Sequence, residues 1–479
     1  MNGNKSLAKN SVYNVVYKLL NVLFPLLTAT YVARVLLAAG VGKVSYAQNI
    51  VAYFTAIAAL GIPNYGTKEI AMVRENKNKI NKLFTELFLI NFISTLVCTI
   101  AYYTMIFSVN YFQENIQLYI VVGFAIILNV INVDWFYQGI EEYAYIALRS
   151  FGVKLVSLFC IFMFIRTPED ISIYATIYCL GIGGNNIFNI INLKKHNVRF
   201  SIAAISVKRH LKPIFILLAS VMAVGIYTML DTTMIGIMCQ DTNVGYYTNA
   251  MRLVKILISV VTAIGGVLLP RLSYYHSQGM NDECSKVVSK VFSIMLFLFL
   301  PCEIGLFLVA GQVMPLLFGE SFAPGVMTLR LASLLIGTLG FSNLFGTQVL
   351  LTFGAEKKLL IATITGAVTN IVLNLILIPK LAQNGAVIAS VISETLVTVV
   401  AVIFSSKYIK IYLNRKLIIS LILASIGLAT SVLCIQSVVS NVIVKLSLSV
   451  VMGASVYMLI NIATKNPIIG DVLAIVKKK

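Results

Sequence analysis

The chain is a succession of apolar blocks, each about 18 to 27 residues long, separated by short polar stretches. A helix of that length crosses a hydrocarbon layer of about 30 Å, because it rises about 1.5 Å per residue. Only 11% of the 479 residues are charged, whereas about a quarter are charged in a soluble globular protein. No interval outside the blocks is long enough for a soluble domain. The sequence therefore predicts an all-α integral membrane protein.

The block pattern predicts about fourteen transmembrane helices. The predicted helices cover residues 11–37, 44–62, 83–107, 116–137, 147–165, 171–193, 213–238, 245–270, 287–310, 326–353, 358–379, 384–405, 416–436 and 442–463. The first helix follows Lys5 and Lys9, but it lacks the short apolar core and small-residue cleavage site of a signal peptide. We therefore expect it to remain in the protein.

The distribution of Lys and Arg predicts the orientation of these helices, because cytoplasmic loops are enriched in both residues. The N-terminus and every second connection carry most of the 37 Lys and Arg residues, whereas the opposite connections carry Lys43, Arg166, Lys380 and Lys445. This asymmetry predicts a cytoplasmic (cell) membrane protein with both termini in the cytoplasm. It also explains the net charge of +19 without nucleic acid, which is not an expected partner.

The cysteines and histidines give no sign of a metal site or a cofactor. Seven cysteines are scattered without a CxxC motif, and most lie in apolar blocks, where cysteine behaves as a small hydrophobic residue. Three histidines lie in polar connections without an HExxH motif. We therefore predict neither metal nor cofactor.

Two pairs of short segments indicate an internal repeat. VGKVSYA at 41–47 matches VGYYTNA at 244–250, and GIEEYAYIA at 139–147 matches GAEKKLLIA at 354–362. The matches keep their order along the chain. Chance similarity or shared helix-packing needs are the alternative explanation.

The repeat predicts two parallel six-helix lobes, residues 1–200 and 213–408, joined by a basic cytoplasmic linker at 201–212. Residues 409–479 then add two further transmembrane helices and a basic tail. Parallel repeats related by an axis along the membrane normal are typical of transporters, with the substrate at their interface.

Several cations are predicted to lie inside the membrane, where each costs about 2.5–3.5 kcal/mol at a helix centre. They are Lys18, Arg34, Arg252, Lys255 and Arg330. Polar residues share helix faces with them: Asn14, Asn21, Pro25 and Thr28 with Lys18, and Asn249, Ser259 and Thr262 with Arg252 and Lys255. A basic stripe in each half predicts a cationic cavity between the lobes, which suits an anionic substrate.

Other interpretations of these charges stay open. Internal salt bridges could use four acidic residues within the predicted helices, which are also candidates for charge coupling: Asp134, Asp231, Glu303 and Glu394. Arg34 and Arg330 lie near helix ends and could extend to the membrane surface. Asparagines at 185, 189, 192, 370 and 374 could bind sugar hydroxyls or form interhelical hydrogen bonds.

Four longer segments resemble a known family. YVARVLLAAGVGKVSYAQNIVAYFTAIAALGIPNYGTKEIA at 31–71 is similar to the first-helix-pair signature of Wzx-type polysaccharide flippases. DTTMIGIMCQDTNVGYYTNAMRLVKI (231–256), LLPRLSYY (268–275) and LLFGESFAPGVMTLRLAS (316–333) resemble second-half motifs of that family. The wider superfamily also contains lipid II flippases and multidrug-exporting MATE proteins. The chain departs from the family at Leu36–Ala39, where Leu-Gly-Pro and an acidic residue are usual.

The resemblance implies a MATE-like fold whose two lobes surround a cleft that opens alternately to each side. It implies a flippase that moves an undecaprenyl-diphosphate-linked oligosaccharide from the inner to the outer leaflet, for O-antigen, capsule or exopolysaccharide synthesis. Lys18, Arg252 and Lys255 occupy places comparable to the cavity cations of the family. Membrane lipids, and a polysaccharide polymerase as a candidate, are the implied partners.

Three other functions are alternatives to this one. A lipid II-type flippase or a cation-coupled exporter would share the fold, but an exporter of cationic drugs should have an acidic cavity, and the predicted interior is basic. A membrane polymerase or ligase would need a large outward loop and a catalytic constellation such as a nucleophile with His and an acid, and neither is present in the sequence. The sequence therefore predicts a transporter, not an enzyme.

Overall fold

The computed structural model describes residues 7–201, 205–262 and 265–470, and every regular element in these ranges is a helix. Side chains are described from Phe24 onward, except at 220, 221, 223, 224, 226–228, 260–267 and 270. The helices are α1 (Leu7–Ala59), α2 (Ile62–Val73), α3 (Lys77–Ser108), α4 (Ile116–Leu128), α5 (Asp134–Gly139), α6 (Tyr143–Phe164), α7 (Ile171–Leu193), α8 (Lys208–Met238), α9 (Asp241–Thr262), α10 (Gly265–Ser277), α11 (Asn281–Phe318), α12 (Val326–Ser333), α13 (Leu335–Ser342), α14 (Glu356–Ser405), α15 (Arg415–Val438) and α16 (Val442–Ala463). A π-helical segment, Asn343–Leu350, follows α13.

The lengths of these helices fit a membrane. Within the described ranges, nine helical segments are long and apolar enough to cross a bilayer, and two of them, Phe24–Val73 and Glu356–Ser405, have 50 residues each. A 50-residue helical segment is about 75 Å long and can cross a 30 Å hydrocarbon layer twice. Helices are required there because lipid offers no partner for backbone N–H and C=O groups. The prediction of an all-α membrane protein is confirmed.

Two predicted connections are reduced to a single non-helical residue. Leu37 in α1 has φ 59° and ψ 179°, and Ala382 in α14 has φ 48° and ψ −131°. Each stands at a break predicted between two helices, so the chain turns there without a loop. A Cβ on Gly385 would lie 2.4 Å from the Leu377 carbonyl oxygen. Only glycine allows the backbone to approach so closely at the second turn.

The chain packs as two compact units, Met1–Gly236 and Ile237–Lys479. The first has an aromatic core where Phe84 of α3 lies 5.6 Å, between ring centroids, from Trp135 of α5. A Cβ on Gly66 of α2 would lie 2.6 Å from the Trp135 ring, so glycine lets α2 lie directly on the indole. These units are defined by packing, whereas the predicted lobes are defined by a six-helix repeat. The lobe boundaries therefore stay a prediction.

In the second unit, the two C-terminal helices pack on α11. The Tyr457 hydroxyl of α16 donates to the Phe297 carbonyl at 2.9 Å, and the Gln436 amide of α15 donates to the Leu308 carbonyl at 2.9 Å. Ser420 on α15 also donates to Asn461 on α16 at 3.0 Å. The first two hydrogen bonds attach the pair to α11 and the third joins the pair to each other, since apolar contact alone does not favour a helix neighbour over lipid.

We expect Leu37→Gly to raise the thermal unfolding midpoint of the detergent-purified protein. The Leu37 backbone lies in a region open almost only to glycine, at a strain of about 1–3 kcal/mol. Relieving this strain should stabilise the folded state, but glycine also makes the unfolded chain more flexible, which offsets roughly 0.5–1 kcal/mol. The net stabilisation should be about 1 kcal/mol. The Leu37 side chain is 43% exposed, so little packing is lost.

The matched control is Leu27→Gly, at a side chain 59% exposed on helical backbone of α1, where glycine should lower the midpoint. A lower midpoint for both variants would show that the Leu37 backbone is not strained.

Candidate functional site

The basic face predicted on the eighth helix lies on α9. The Arg252 guanidinium donates from Nη1 to Asn249 Oδ1 at 3.0 Å, one turn earlier, and Asn249 is fully buried. Arg252 is half-buried and Lys255 is exposed. Ser259, on the same face, donates to the Ile256 carbonyl at 2.7 Å. The face therefore presents two cations. The guanidinium of Arg252 is oriented by the buried amide of Asn249.

The corresponding stripe on the first helix falls mostly outside the described side chains. α1 is helical through Asn14, Lys18 and Asn21, but the side chains of these three residues lie outside the described part. The helix continues through Pro25. Thr28 donates to the Phe24 carbonyl at 3.2 Å, so its hydroxyl is used within its own helix. The cavity predicted to be shared by the two halves stays a prediction.

The two cations predicted near helix ends have different surroundings. Arg34 is exposed on α1. Arg330 is partly buried on α12, and its guanidinium carbon lies 5.9 Å from the Phe307 ring centroid. A Cβ on Gly311 would be 3.9 Å from Arg330 Nη2, and Arg330 Nε has no hydrogen-bond partner among the described residues. Arg330 therefore packs on an aromatic ring and is not held by a described acidic side chain.

The four acidic candidates are engaged. Asp134 Oδ1 lies 2.8 Å from Arg149 Nη1. Glu303 Oε1 accepts from the Gly337 backbone N–H at 2.6 Å. Asp231 and Glu394 are each only 6% exposed, and both take part in interactions.

Arg149 is missing from the intramembrane cations predicted from the sequence, and that prediction was wrong here. The residue lies in α6, and its side chain is 4% exposed. It donates to Asp134, to Asn185 Oδ1 at 3.2 Å and to Asn189 Oδ1. Asn189 in turn donates to Asp134 at 2.6 Å. Both Arg149 and Lys154 are counted with a cytoplasmic connection in the predicted charge distribution. In the structure Lys154 lies one and a half turns further along α6 and is helical.

The helix-lining asparagines bind each other and their neighbours. Besides the Arg149 contacts, Asn186 of α7 donates to the Leu128 carbonyl at 2.8 Å. Asn374 donates to Asn370 at 3.0 Å, and Asn370 donates to Ser390, in the other half of α14, at 3.4 Å. The contacts of Asn185 and Asn189 with Arg149, and of Asn370 with Ser390, thus support interhelical hydrogen bonding for these three asparagines.

A buried carboxylate fixes the basic connection to the first unit, and no local sequence pattern predicts this contact. Glu86 on α3 is fully buried. It accepts from the Ser206 backbone N–H at 2.7 Å and from Arg209 Nη2 at 2.5 Å, and lies 3.0 Å from His210 Nε2. His210 Nδ1 is 2.8 Å from the Tyr65 hydroxyl. The acid is therefore surrounded by donors that offset its desolvation.

Within the described residues, no group of three or more His, Cys, Asp or Glu side chains could hold a metal ion. The described part of the predicted site presents exposed or half-buried cations on α9 and α12.

Comparisons with known proteins agree on one kind of activity. The family model described as "Polysaccharide biosynthesis protein" matches residues 7–276. The chain is 24% identical over 416 residues to the "Putative O-antigen transporter" of Escherichia coli (strain K12), covering 84% of this chain and 98% of that one. It is also 24% identical over 234 residues to the "Probable low-salt glycan biosynthesis flippase Agl15" of Haloferax volcanii, covering 48% of this chain and 49% of that one.

A solved structure confirms the fold. The lipid II flippase MurJ in an inward closed conformation superposes with a TM-score of 0.76 at 15% identity, covering 95% of this chain and 99% of that one. At this identity the likeness concerns the fold alone.

We expect Arg149→Met to lower the thermal unfolding midpoint by the equivalent of about 2 kcal/mol. Removing one partner of a fully buried ion pair costs about 3–5 kcal/mol, and the figure is reduced here because the Asp134 side chain is 27% exposed. The double variant Arg149→Met/Asp134→Asn should recover part of the loss, since no unpaired charge remains.

Arg74→Met is the matched control, because Arg74 lies 2.9 Å from Glu141 with both side chains 47% exposed; its effect should stay below about 1 kcal/mol. Equal losses for Arg149→Met and Arg74→Met would remove the distinction between the two pairs.

Proposed function

Because this chain belongs to the family of polysaccharide biosynthesis proteins, as a membrane flippase rather than an enzyme, we propose that its cargo is an undecaprenyl-diphosphate-linked oligosaccharide. The protein moves this repeat unit from the inner to the outer leaflet of the cytoplasmic membrane, for assembly into O-antigen, capsule or exopolysaccharide. Transport proceeds by alternating access. Membrane lipids surround the cargo tail, and a polysaccharide polymerase is the candidate partner that receives the product.

The physical problem is the head group of the cargo. Sugar hydroxyls and a diphosphate cannot cross hydrocarbon unaided, because an unpaired charge is far too costly to desolvate. The hydrocarbon tail, in contrast, is most stable in lipid. A flippase therefore has to offer a polar path to the head group and leave the tail in the bilayer.

The basic face of α9 is the observation that carries this proposal. Arg252 and Lys255 lie one turn apart on one helix face, accessible to a ligand, and Asn249 holds the Arg252 guanidinium in place. Guanidinium and ammonium groups are the strongest side-chain donors to phosphate oxygens. Arg252 and Lys255 bind the diphosphate, with Lys18, Arg34 and Arg330 as further cations. Asn14 and Asn21 are candidates for contact with the sugar. Their affinity has to be moderate, because a ligand that strongly favours one state would stop the cycle.

Asp231 and Glu394 are candidates for coupling transport to an energy source. Both are buried in helices of a membrane protein, where an acidic side chain is costly and marks an ion or proton path. Asp134 and Glu303, whose partners are described above, are further candidates for that role.

Loss of the gene should make the lipid-linked repeat unit accumulate on the cytoplasmic leaflet while its synthesis continues. Single units accumulating on the outer leaflet would instead indicate a polymerase, and sensitivity to cationic drugs with normal export would indicate an exporter. Accumulation of lipid II rather than the repeat unit would favour the lipid II-type flippase.

Complementation with variants tests the site. The double variant Arg252→Gln/Lys255→Gln should reduce polysaccharide export at least about tenfold, since each charge-assisted contact is worth roughly 1.5–3 kcal/mol. Arg252→Lys should retain more export than Arg252→Gln if charge matters more than the planar guanidinium. The control Lys77→Gln/Lys79→Gln removes two exposed charges of α3 and should export normally. Normal export by the first variant, at equal membrane abundance, would assign Arg252 and Lys255 a structural role.

Membrane orientation can be tested at the two ends of one helix. α7 has 23 residues, about 35 Å, enough to cross the bilayer once. In a chain whose own cysteines are replaced by alanine, Lys195→Cys should resist an impermeant thiol reagent in intact cells. Glu169→Cys, exposed at the other end, should react. The reverse pattern would invert the proposed topology.

A further inference from the structure

A cavity of about 500 Å³ lies within the second unit, at the level where several membrane helices end. α11 and α15 begin beside it and α16 ends beside it. Its walls change from polar to apolar: Lys286, Lys290 and Asn414 line one part, and Ile294, Leu417 and Ile468 line another. A site of this composition fits an amphiphile, with a charged group at one end and hydrocarbon at the other.

The polar wall is built by an extended segment held against α11. The Lys410 backbone N–H donates to Ser285 Oγ at 3.1 Å, and the Tyr412 backbone N–H donates to Ser289 Oγ at 2.9 Å. Ser285 and Ser289 are both buried. Because the serines lie one turn apart, they fix the segment along the helix and leave Lys286 and Lys290 on its outer face.

The apolar wall is fixed as firmly. Asn466, only 1% exposed, donates to Asn461 Oδ1 at 2.6 Å and to Ser420 Oγ at 3.3 Å. Its own Oδ1 accepts from the Ile468 backbone N–H at 3.0 Å. This buried amide network joins α15, α16 and the residues that follow α16, so Ile468 is held in place beside the cavity.

The charge around the cavity is strongly positive. Lys286 and Lys290 line the cavity itself. The segments around it, 281–290 and 405–416, also carry exposed basic residues at Lys407, Lys410, Arg415 and Lys416, against the acids Asp282 and Glu283. Lys286 Nζ lies 2.7 Å from Glu283 Oε1, but the two side chains are 64% and 38% exposed. An exposed pair of this kind is worth little in water, so Lys286 can exchange Glu283 for a stronger anion.

We propose that this cavity binds a resident anionic glycerophospholipid, its phosphate at Lys286 and Lys290 and its acyl chains along Ile294, Leu417 and Ile468. Basic pockets between transmembrane helices at the cytoplasmic boundary bind anionic lipid head groups, and the charge asymmetry of the chain predicts the cytoplasmic side for these helix ends. The lipid is a component of the membrane and is distinct from the cargo.

The full-length protein, purified in a neutral detergent, should bind phosphatidylglycerol in preference to phosphatidylcholine when both are titrated and bound lipid is counted by native mass spectrometry. Lys286→Gln/Lys290→Gln should weaken phosphatidylglycerol binding at least about tenfold, at roughly 1 kcal/mol per lysine. The control Lys77→Gln/Lys79→Gln removes two exposed lysines from the first unit and should bind normally.

A second variant separates lipid from free phosphate. Ile294→Trp fills the apolar side of the cavity and should weaken phosphatidylglycerol binding while both lysines stay. If inorganic phosphate at equal concentration displaced the lipid completely, the site would be a phosphate site and the proposal would fail. Equal binding of phosphatidylcholine, or unchanged binding by Lys286→Gln/Lys290→Gln, would also overturn it. None of these results depends on transport, so the proposed function stands or falls separately.

Discussion

Hydrocarbon cannot solvate a charge or an open backbone hydrogen bond, and this constraint explains most of the described structure. The backbone meets this constraint by forming helices. The buried side chains meet it by forming networks in which several donors converge on one acid. Asp134 receives Arg149 and Asn189, and Glu86 receives the Ser206 N–H and Arg209. Each network joins different helices, so satisfying a charge also fixes how those helices pack.

The helices themselves were predictable because the same constraint is written into the sequence as apolar length. Ile171–Leu193 and Val442–Ala463 begin and end where the apolar blocks do. Family membership, read from the motifs, is confirmed as well. The breaks at Leu37 and Ala382 were placed correctly but expected as loops. Block length cannot show that a single left-handed residue suffices to turn the chain, and Leu37 gives no glycine signal.

Pairing was much harder to predict than position. The contact between Asn249 and Arg252 joins residues three apart on one helix, so helical periodicity indicates it. The contact between Asn189 and Asp134 joins residues 55 positions apart, and Glu86 meets Arg209 across 123 positions. No local pattern relates such residues. Arg149 was missed for a related reason: it follows a polar connection closely, so its charge was counted there, whereas its partners lie on α5 and α7.

Exposure then separates two kinds of cation on the described helices. Arg149 is 4% exposed, and its guanidinium donates to an acid and to two amides, so its charge is satisfied within the protein. Lys255 is exposed on α9 and Arg252 half-buried beside it. A cation on a membrane helix is costly unless that face meets water or a polar ligand. Under the proposed function, the exposed Lys255 and the half-buried Arg252 supply the polar face that a phosphorylated head group needs. The proposed cargo site thus uses accessible cations, whereas the buried side chains of Arg149 and Glu86 hold helices together.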